Sequence, residues 1–317
     1  REYSSAASDV YKRQALSCNR ETIIATNTSS LSVEDLATLS DRPDRFIGLH
    51  FFYHPAKNRL VEIIPSSRTS SETIQSVIQY CGAMGKVVIL CKDRPGFVVN
   101  RFFVPWLNEA CKLLDEGFGT PAEIDNVAKD CFDIGMGPFE LMNLTGPSIA
   151  LHSTDYLASQ LQVDRYKGAD SLRRLVEEGI QWDLAGVSGE FSSKDRKEIR
   201  NRLLGVVLCI ASQIVEEEIC AMEDVDRGAK VGLRWPMGPF ELANDLGVDV
   251  AHGIASDYAV LAGFESPIIL STQGSEPFEF KLIDLEVTNG VASITFNRPE
   301  AMNALNEEVI SQLTDLW

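Results

Sequence analysis

Between residues 22 and 91 the apolar positions come in short runs that alternate between two periods. "TIIATNT" (22–28), "RFIGLHFF" (45–52), "LVEII" (60–64) and "KVVILC" (86–91) are apolar, β-branched or aromatic and bounded by polar residues, the pattern of buried strands. "SVEDLATL" (32–39) opens on a serine with an acidic first turn, and "SSETIQSVIQYCGAMG" (70–85) spaces its apolar residues as a helix does and stops at glycine. Strands and helices in alternation predict an α/β layer whose sheet carries helices on its faces. Four strands are few for such a sheet, so the layer is expected to be half of something larger.

After Pro95 the period becomes helical. "VVNRFFVPWLNEACKLLDEG" (98–117) reads as one amphipathic helix closed by Gly117, with Pro105 a candidate kink. Thr120, Pro121 and Glu123 form a capping box that opens the next helix. The strongest long-range pattern is a repeat: "AKDCFDIGMGPFELMNLTG" (128–146) returns as "AKVGLRWPMGPFELANDLG" (229–247). At the same offset of 101 residues Asp125 meets Asp226 and Asn100-Arg101 meets Asn201-Arg202, which predicts a duplicated helical domain. "LAGFESPIILSTQGSEP" (261–277) is rich in turn residues, and beyond it two β-like runs flank Asn289-Gly290 before a last helical stretch. The expected boundaries are a disordered or non-native tail at 1–14, the α/β layer at 15–93, helical domains at 94–185 and 186–265, a linker at 266–278 and the start of a further domain at 279–317.

Charge and cysteine usage narrow the partners. A formal net charge of −17 argues against nucleic acid or an anionic membrane. The seven cysteines are odd in number and include no C-x-x-C, so they read as reduced thiols of a cytoplasmic protein, with no metal site. No apolar run approaches the roughly 20 residues that span a bilayer.

Candidate chemistry gathers in the α/β layer. His50 ends an apolar strand, at the rim where open α/β sheets place their ligands. Glu62 lies inside the next strand among apolar residues, where a carboxylate is costly unless paired. The economical partner is the imidazole of His50, whose tautomer the carboxylate would fix. Asn27 and Ser29, in "ATNTSS" (25–30), and Asn100, at a helix start, offer amide and hydroxyl groups to a substrate oxygen. His54, before Pro55, is expected in an extended loop; His152 and His252 lie on helices and carry no further signal. The one G-x-G-x-x-A match, "GFGTPA" (117–122), follows a helix where a dinucleotide fingerprint must follow a strand. A helix stop followed by the capping box explains it, so no phosphate-binding loop is assigned.

"TNTSSL", "DRFIGLHFF", "LVEII", "KDRPGFVVNR" and "GMGPFEL", in this order, resemble the 3-hydroxyacyl-CoA dehydrogenase family over roughly residues 19 to 265. The resemblance implies a partial Rossmann domain followed by duplicated all-α dehydrogenase C-terminal domains. It implies NAD as cofactor, an acyl-CoA substrate, and a homo-oligomer formed through the helical domains. His50 would be the general base, Glu62 its orienting carboxylate, and Ser29 and Asn100 hydrogen-bond donors to the reacting oxygen or thioester; Ser29 and Asn27 would also contact the cofactor. The chain departs from the family at Tyr53-His54, in a basic segment that only "AGVSGEF" (185–191) approaches, and in doubling the helical domain. The NAD-binding strand and loop would precede Ala15, so the 317-residue chain is expected to be nearly inactive alone. "NGVASITFNRPEAMNALN" resembles the beginning of the enoyl-CoA hydratase (crotonase) family, which implies a fused dehydrogenase/hydratase. Two other readings stay open: a non-catalytic assembly module built on the duplicated helices, and a dehydrogenase of a free 3-hydroxy acid.

Overall fold

A computed structural model describes residues 10, 13–14, 16–186 and 191–316. Of the expected tail at 1–14 only Val10, Arg13 and Gln14 are described; Ala15 and residues 187–190 of "AGVSGEF" lie outside the described residues.

The α/β layer holds β1 (Ile24–Thr26), α1 (Val33–Ala37), β2 (Phe46–Phe51), β3 (Leu60–Pro65), α2 (Ser71–Ala83) and β4 (Val87–Leu90), with strand order β1-β2-β3-β4. β1 runs parallel to β2 and β3 parallel to β4, but β2 and β3 are antiparallel. Residues 52–59 alone join β2 to β3, too few for the crossover that parallel strands need. The pleat then sorts the faces. Ile47, Leu49, Val61 and Ile63 pack with Val77 and Cys81 of α2, while Phe46, Leu60 and Ile64 join the main core with α1 and the helical region. His50 and Glu62 fall on this second face.

The helices repeat element by element. α3 (Val99–Asp115), α4 (Pro121–Phe132), α5 (Pro138–Thr145), α6 (Pro147–Leu161) and α7 (Asp170–Glu178) form the first unit. α8 (Ser193–Glu216), α9 (Met222–Arg227) continuing into a π-helix (Gly228–Leu233), α10 (Pro239–Leu246), α11 (Val248–Ala262) and α12 (Ile268–Gln273) form the second. In both units a buried aspartate accepts two backbone N–H groups at the GPFE helix start: Asp125 from Phe139 and Glu140, Asp226 from Phe240 and Glu241, all at 2.8–2.9 Å. Left-handed residues recur at the same offset, Asp133 with Arg234 and Gly117 with Glu218, even where glycine has been replaced. Each MGPFEL is therefore a helix entry, and one set of backbone constraints has been written twice.

The two units pair reciprocally. Arg101 of α3 meets Glu217 at 2.5 Å, while its counterpart Arg202 of α8 meets Glu116, so each arginine crosses to the other repeat. This is the arrangement of a two-fold dimer interface, made inside one chain. Glu109 sits between, 1% exposed, held by both Arg165 and Arg202 at 2.5 Å.

One expectation about the C-terminal region changes. Residues 266–278, expected as a linker, include α12, whose Leu270 is buried, and Phe278, which stacks edge-on against Phe240 and trades two hydrogen bonds with Asn244. Turn-rich composition concealed the apolar residues that dock this stretch onto the second repeat. Beyond it β5 (Ile283–Thr288) and β6 (Val291–Phe296) form a hairpin with both Asn289 and Gly290 at positive φ, followed by α13 (Glu307–Asp315). Its core is small: Leu282, Ile283 and Val309, with Phe280, Ile294 and Leu313 against them.

The reciprocal pairing gives two tests. Arg202→Met should lower stability by about 2–3 kcal/mol, since it strips one partner from a buried carboxylate while Arg165 remains; urea unfolding measures it. Burial raises the Glu116 carboxyl, but hydrogen bonding and charge from Arg202, with Arg165 beyond, hold it below the usual carboxylate value. A depressed pKa adds stability at neutral pH that disappears as pH falls through it. Glu116→Gln should therefore melt below the parent at pH 7, and the gap should close in acid, below the ordinary glutamate range of about 4.3.

Candidate active site

In the antiparallel register His50 and Glu62 are direct cross-strand partners. Their side chains share a face, and His50 Nδ1 lies 2.6 Å from Glu62 Oε2. Phe52 and Phe97 flank the imidazole, with ring centroids at 4.7 and 5.6 Å. Glu62 is fully buried and His50 is 6% exposed.

The second oxygen of Glu62 is not idle. Oε1 accepts the backbone N–H groups of Val98 (3.1 Å) and Val99 (2.9 Å), at the N-terminus of α3. Val98 at the N-cap makes no side-chain cap of its own, so the carboxylate from β3 supplies it. Three donors and a helix N-terminus compensate a charge that would otherwise be prohibitive at this depth. A carboxylate accepts only, so in the neutral imidazole the proton sits on Nδ1 and Nε2 carries the free lone pair.

Close by is a small cleft lined by Ser29, Gly96, Asn100, His152 and Tyr156, among others. It lies where the loop after β1 meets α3 and α6. Tyr156 donates its hydroxyl proton to the carbonyl of Ser30, tying the loop to α6. Asp93 ties it from the other side, accepting from Ser32 Oγ and Glu34 N at 2.8 Å. The sequence-derived residues therefore separate into two groups: His50 with Glu62, and Ser29 with Asn100. Asn27 takes a structural position, its Oδ1 accepting from Phe51 N–H (2.9 Å) and fixing the end of β1 to β2. His54 is exposed, its Nδ1 accepting from the nearby N–H of Ala56.

Two features were missed at the level of sequence. The capping role of Glu62 has a trace there, since "GFVVN" opens a helix with no Ser, Thr, Asp or Asn at the cap. His152 and Tyr156 had none, because their place in the cleft depends on how α6 crosses α3. Among the described residues no cluster of His, Cys, Asp and Glu has the makings of a metal site.

Comparison with known proteins gives the family context. The sequence model of the 3-hydroxyacyl-CoA dehydrogenase NAD binding domain matches residues 2–94, and that of the 3-hydroxyacyl-CoA dehydrogenase C-terminal domain matches residues 96–182 and 199–272. Among relatives, a probable 3-hydroxybutyryl-CoA dehydrogenase of Deinococcus radiodurans is 37% identical over 57% of this chain and 64% of its own length. Mitochondrial hydroxyacyl-coenzyme A dehydrogenase of Sus scrofa is 41% identical over 44% of each chain. The chain thus spans less than two thirds of these relatives. The crystal structure of Escherichia coli 3-hydroxybutyryl-CoA dehydrogenase superposes with a TM-score of 0.74, covering 85% of this chain and 79% of that one at 20% identity, a likeness of fold.

The double duty of Glu62 is testable without any ligand. Glu62→Gln keeps the shape but weakens charge-assisted hydrogen bonds, and should cost about 1.5–3 kcal/mol. Hydrogen exchange at the Val98 and Val99 amides should accelerate in the same variant, while that of amides in α11 changes only with global stability.

Proposed function

The chain belongs to the 3-hydroxyacyl-CoA dehydrogenase family, and we propose that its α/β layer and first helical unit carry the substrate-side half of an NAD-dependent 3-hydroxyacyl-CoA dehydrogenase site. The observation that carries this reading is the buried His50–Glu62 pair, with Glu62 also capping α3. His50 Nε2 takes the proton of the substrate 3-hydroxyl as general base. Glu62 keeps Nδ1 protonated and stabilises the imidazolium that results. Ser29 and Asn100 hydrogen-bond the reacting oxygen or the thioester carbonyl from the neighbouring cleft.

NAD, when bound, supplies the oxidising equivalent. The residues present fit only its nicotinamide end, where Ser29 and Asn27 stand at the sheet rim. The pyrophosphate needs a glycine-rich turn from a strand into a helix, and the described residues contain none. Gly117, in the one formal match, closes α3 instead, and Thr120 and Glu123 cap α4. The substrate reading is an (S)-3-hydroxyacyl-CoA converted to the 3-ketoacyl-CoA. The likeness of residues 289–306 to the beginning of the crotonase family is what supports a fusion to an enoyl-CoA hydratase. The unpaired cysteines fit a reducing, cytoplasmic setting. Self-association would use a face other than that shared by α3 and α8.

The test is spectrophotometric. The 317-residue chain alone should not reduce NAD measurably with (S)-3-hydroxybutyryl-CoA. With a G-x-G-x-x-G strand–turn–helix unit fused ahead of residue 16 it should do so. In that form His50→Gln should lower kcat by about 10²–10⁴-fold with little change in the thioester KM. An unchanged kcat would remove His50 from the role of base.

A further inference from the structure

The second repeat does not duplicate the cleft of the first. Where Val104 and Leu157 line an opening between α3 and α6, the positions 101 residues on are Gly205 and Tyr258. Gly205 is packed so closely that a Cβ there would lie 2.7 Å from Tyr258 Cβ and 2.9 Å from the Ile254 carbonyl oxygen. α8 and α11 are closed on each other. What, then, does this unit do for the site?

The answer lies where the repeats diverge. α4 of the first unit is a regular helix, with Val127 and Cys131 at the positions equivalent to Gly228 and Gly232. In the second unit that segment is a π-helix, Gly228–Leu233, a form that recurs at functional sites. Both glycines press on the elements that hold Glu62. A Cβ on Gly228 would come within 2.7 Å of Val99 Cγ2, and one on Gly232 within 2.6 Å of Leu60 Cδ2. Val99 is the residue whose N–H binds Glu62 Oε1, and Leu60 begins the strand that carries Glu62. Asn58, just before that strand, donates to the Gly232 carbonyl at 2.8 Å, and Lys92 N–H donates to the Ile219 carbonyl at 2.9 Å.

We propose that Gly228 and Gly232 are positioning residues for the His50–Glu62 pair: the second repeat is a buttress that holds the start of α3 against the carboxylate. This rests on the reading of His50 as base, but its geometry can be tested apart from it. Val99 is fully buried, and its β-branched side chain has one strongly preferred rotamer in a helix. A methyl group at position 228 therefore pushes directly on the helix start. That pulls the Val99 N–H off Oε1 and loosens the grip of Oε2 on Nδ1.

The experiment uses the 317-residue chain and the His50 Nδ1–H proton resonance. In Gly228→Ala that proton should exchange with solvent about tenfold faster than in the parent. In Gly228→Ala/Val99→Ala, where the opposing methyl is gone, exchange should return towards the rate of Val99→Ala alone. Val99→Ala alone, compared with the parent, corrects for the cavity it leaves. Should Gly228→Ala fail to fold, Asn58→Ala tests the second contact of the buttress, that of Gly232 with the start of β3, with accelerated exchange expected. Unchanged exchange in the folded variants, or failure of the second substitution to restore it, overturns the proposal. In the form extended to bind NAD, Gly228→Ala should lower kcat and leave the thioester KM alone. If His50→Gln proved fully active while the exchange results held, the dehydrogenase role of His50 would fall and the buttress would stand.

Discussion

A single buried carboxylate organises this structure. Glu62 has no exposure to water, and its two oxygens face different elements: one the imidazole of His50, the other the first amides of α3. Leaving such a charge unpaired would be strongly destabilising, so the strand, the helix start and the imidazole must assemble together. The same requirement places the α/β layer against the helices. Stability and chemistry meet in one residue, and neither can be changed without the other.

The duplicated helices extend that logic. The two units keep the same aspartate at the GPFE helix start, the same left-handed turns and the same arginine, and they exchange those arginines across their shared face. They differ where function makes different demands. The first retains a cleft beside Ser29 and Asn100; the second closes the corresponding space with Gly205 and thins its π-helix with Gly228 and Gly232 to reach β3 and α3. Duplication supplied a second body of the right shape. Small residues fitted it to a supporting place.

Much of this was legible in the residues. Short β-branched runs located all four strands of the layer, and the constant offset located the second unit. A glutamate inside "LVEII" demanded a partner, and His50 was the nearest candidate. What stayed hidden depended on distance in sequence. Nothing near Glu62 announces that it caps a helix beginning 37 residues later, and nothing near Asn100 announces His152 beside it. The antiparallel β2–β3 pairing was recoverable from the short connection at 52–59. The docking of 266–278 was not, because its turn residues outnumber the few apolar side chains, Leu270 and Phe278, that anchor it.

The central claim concerns where one proton sits, and a long-range ¹H–¹⁵N correlation spectrum of the histidine side chains reads it directly. In its neutral form His50 should show a protonated Nδ1 and a bare Nε2, and Glu62→Gln, whose amide can donate to Nδ1, should reverse the two. A neutral imidazole protonated on Nε2 instead of Nδ1 in the unmodified protein, or an averaged pattern that ignores residue 62, would show that Glu62 does not hold the ring.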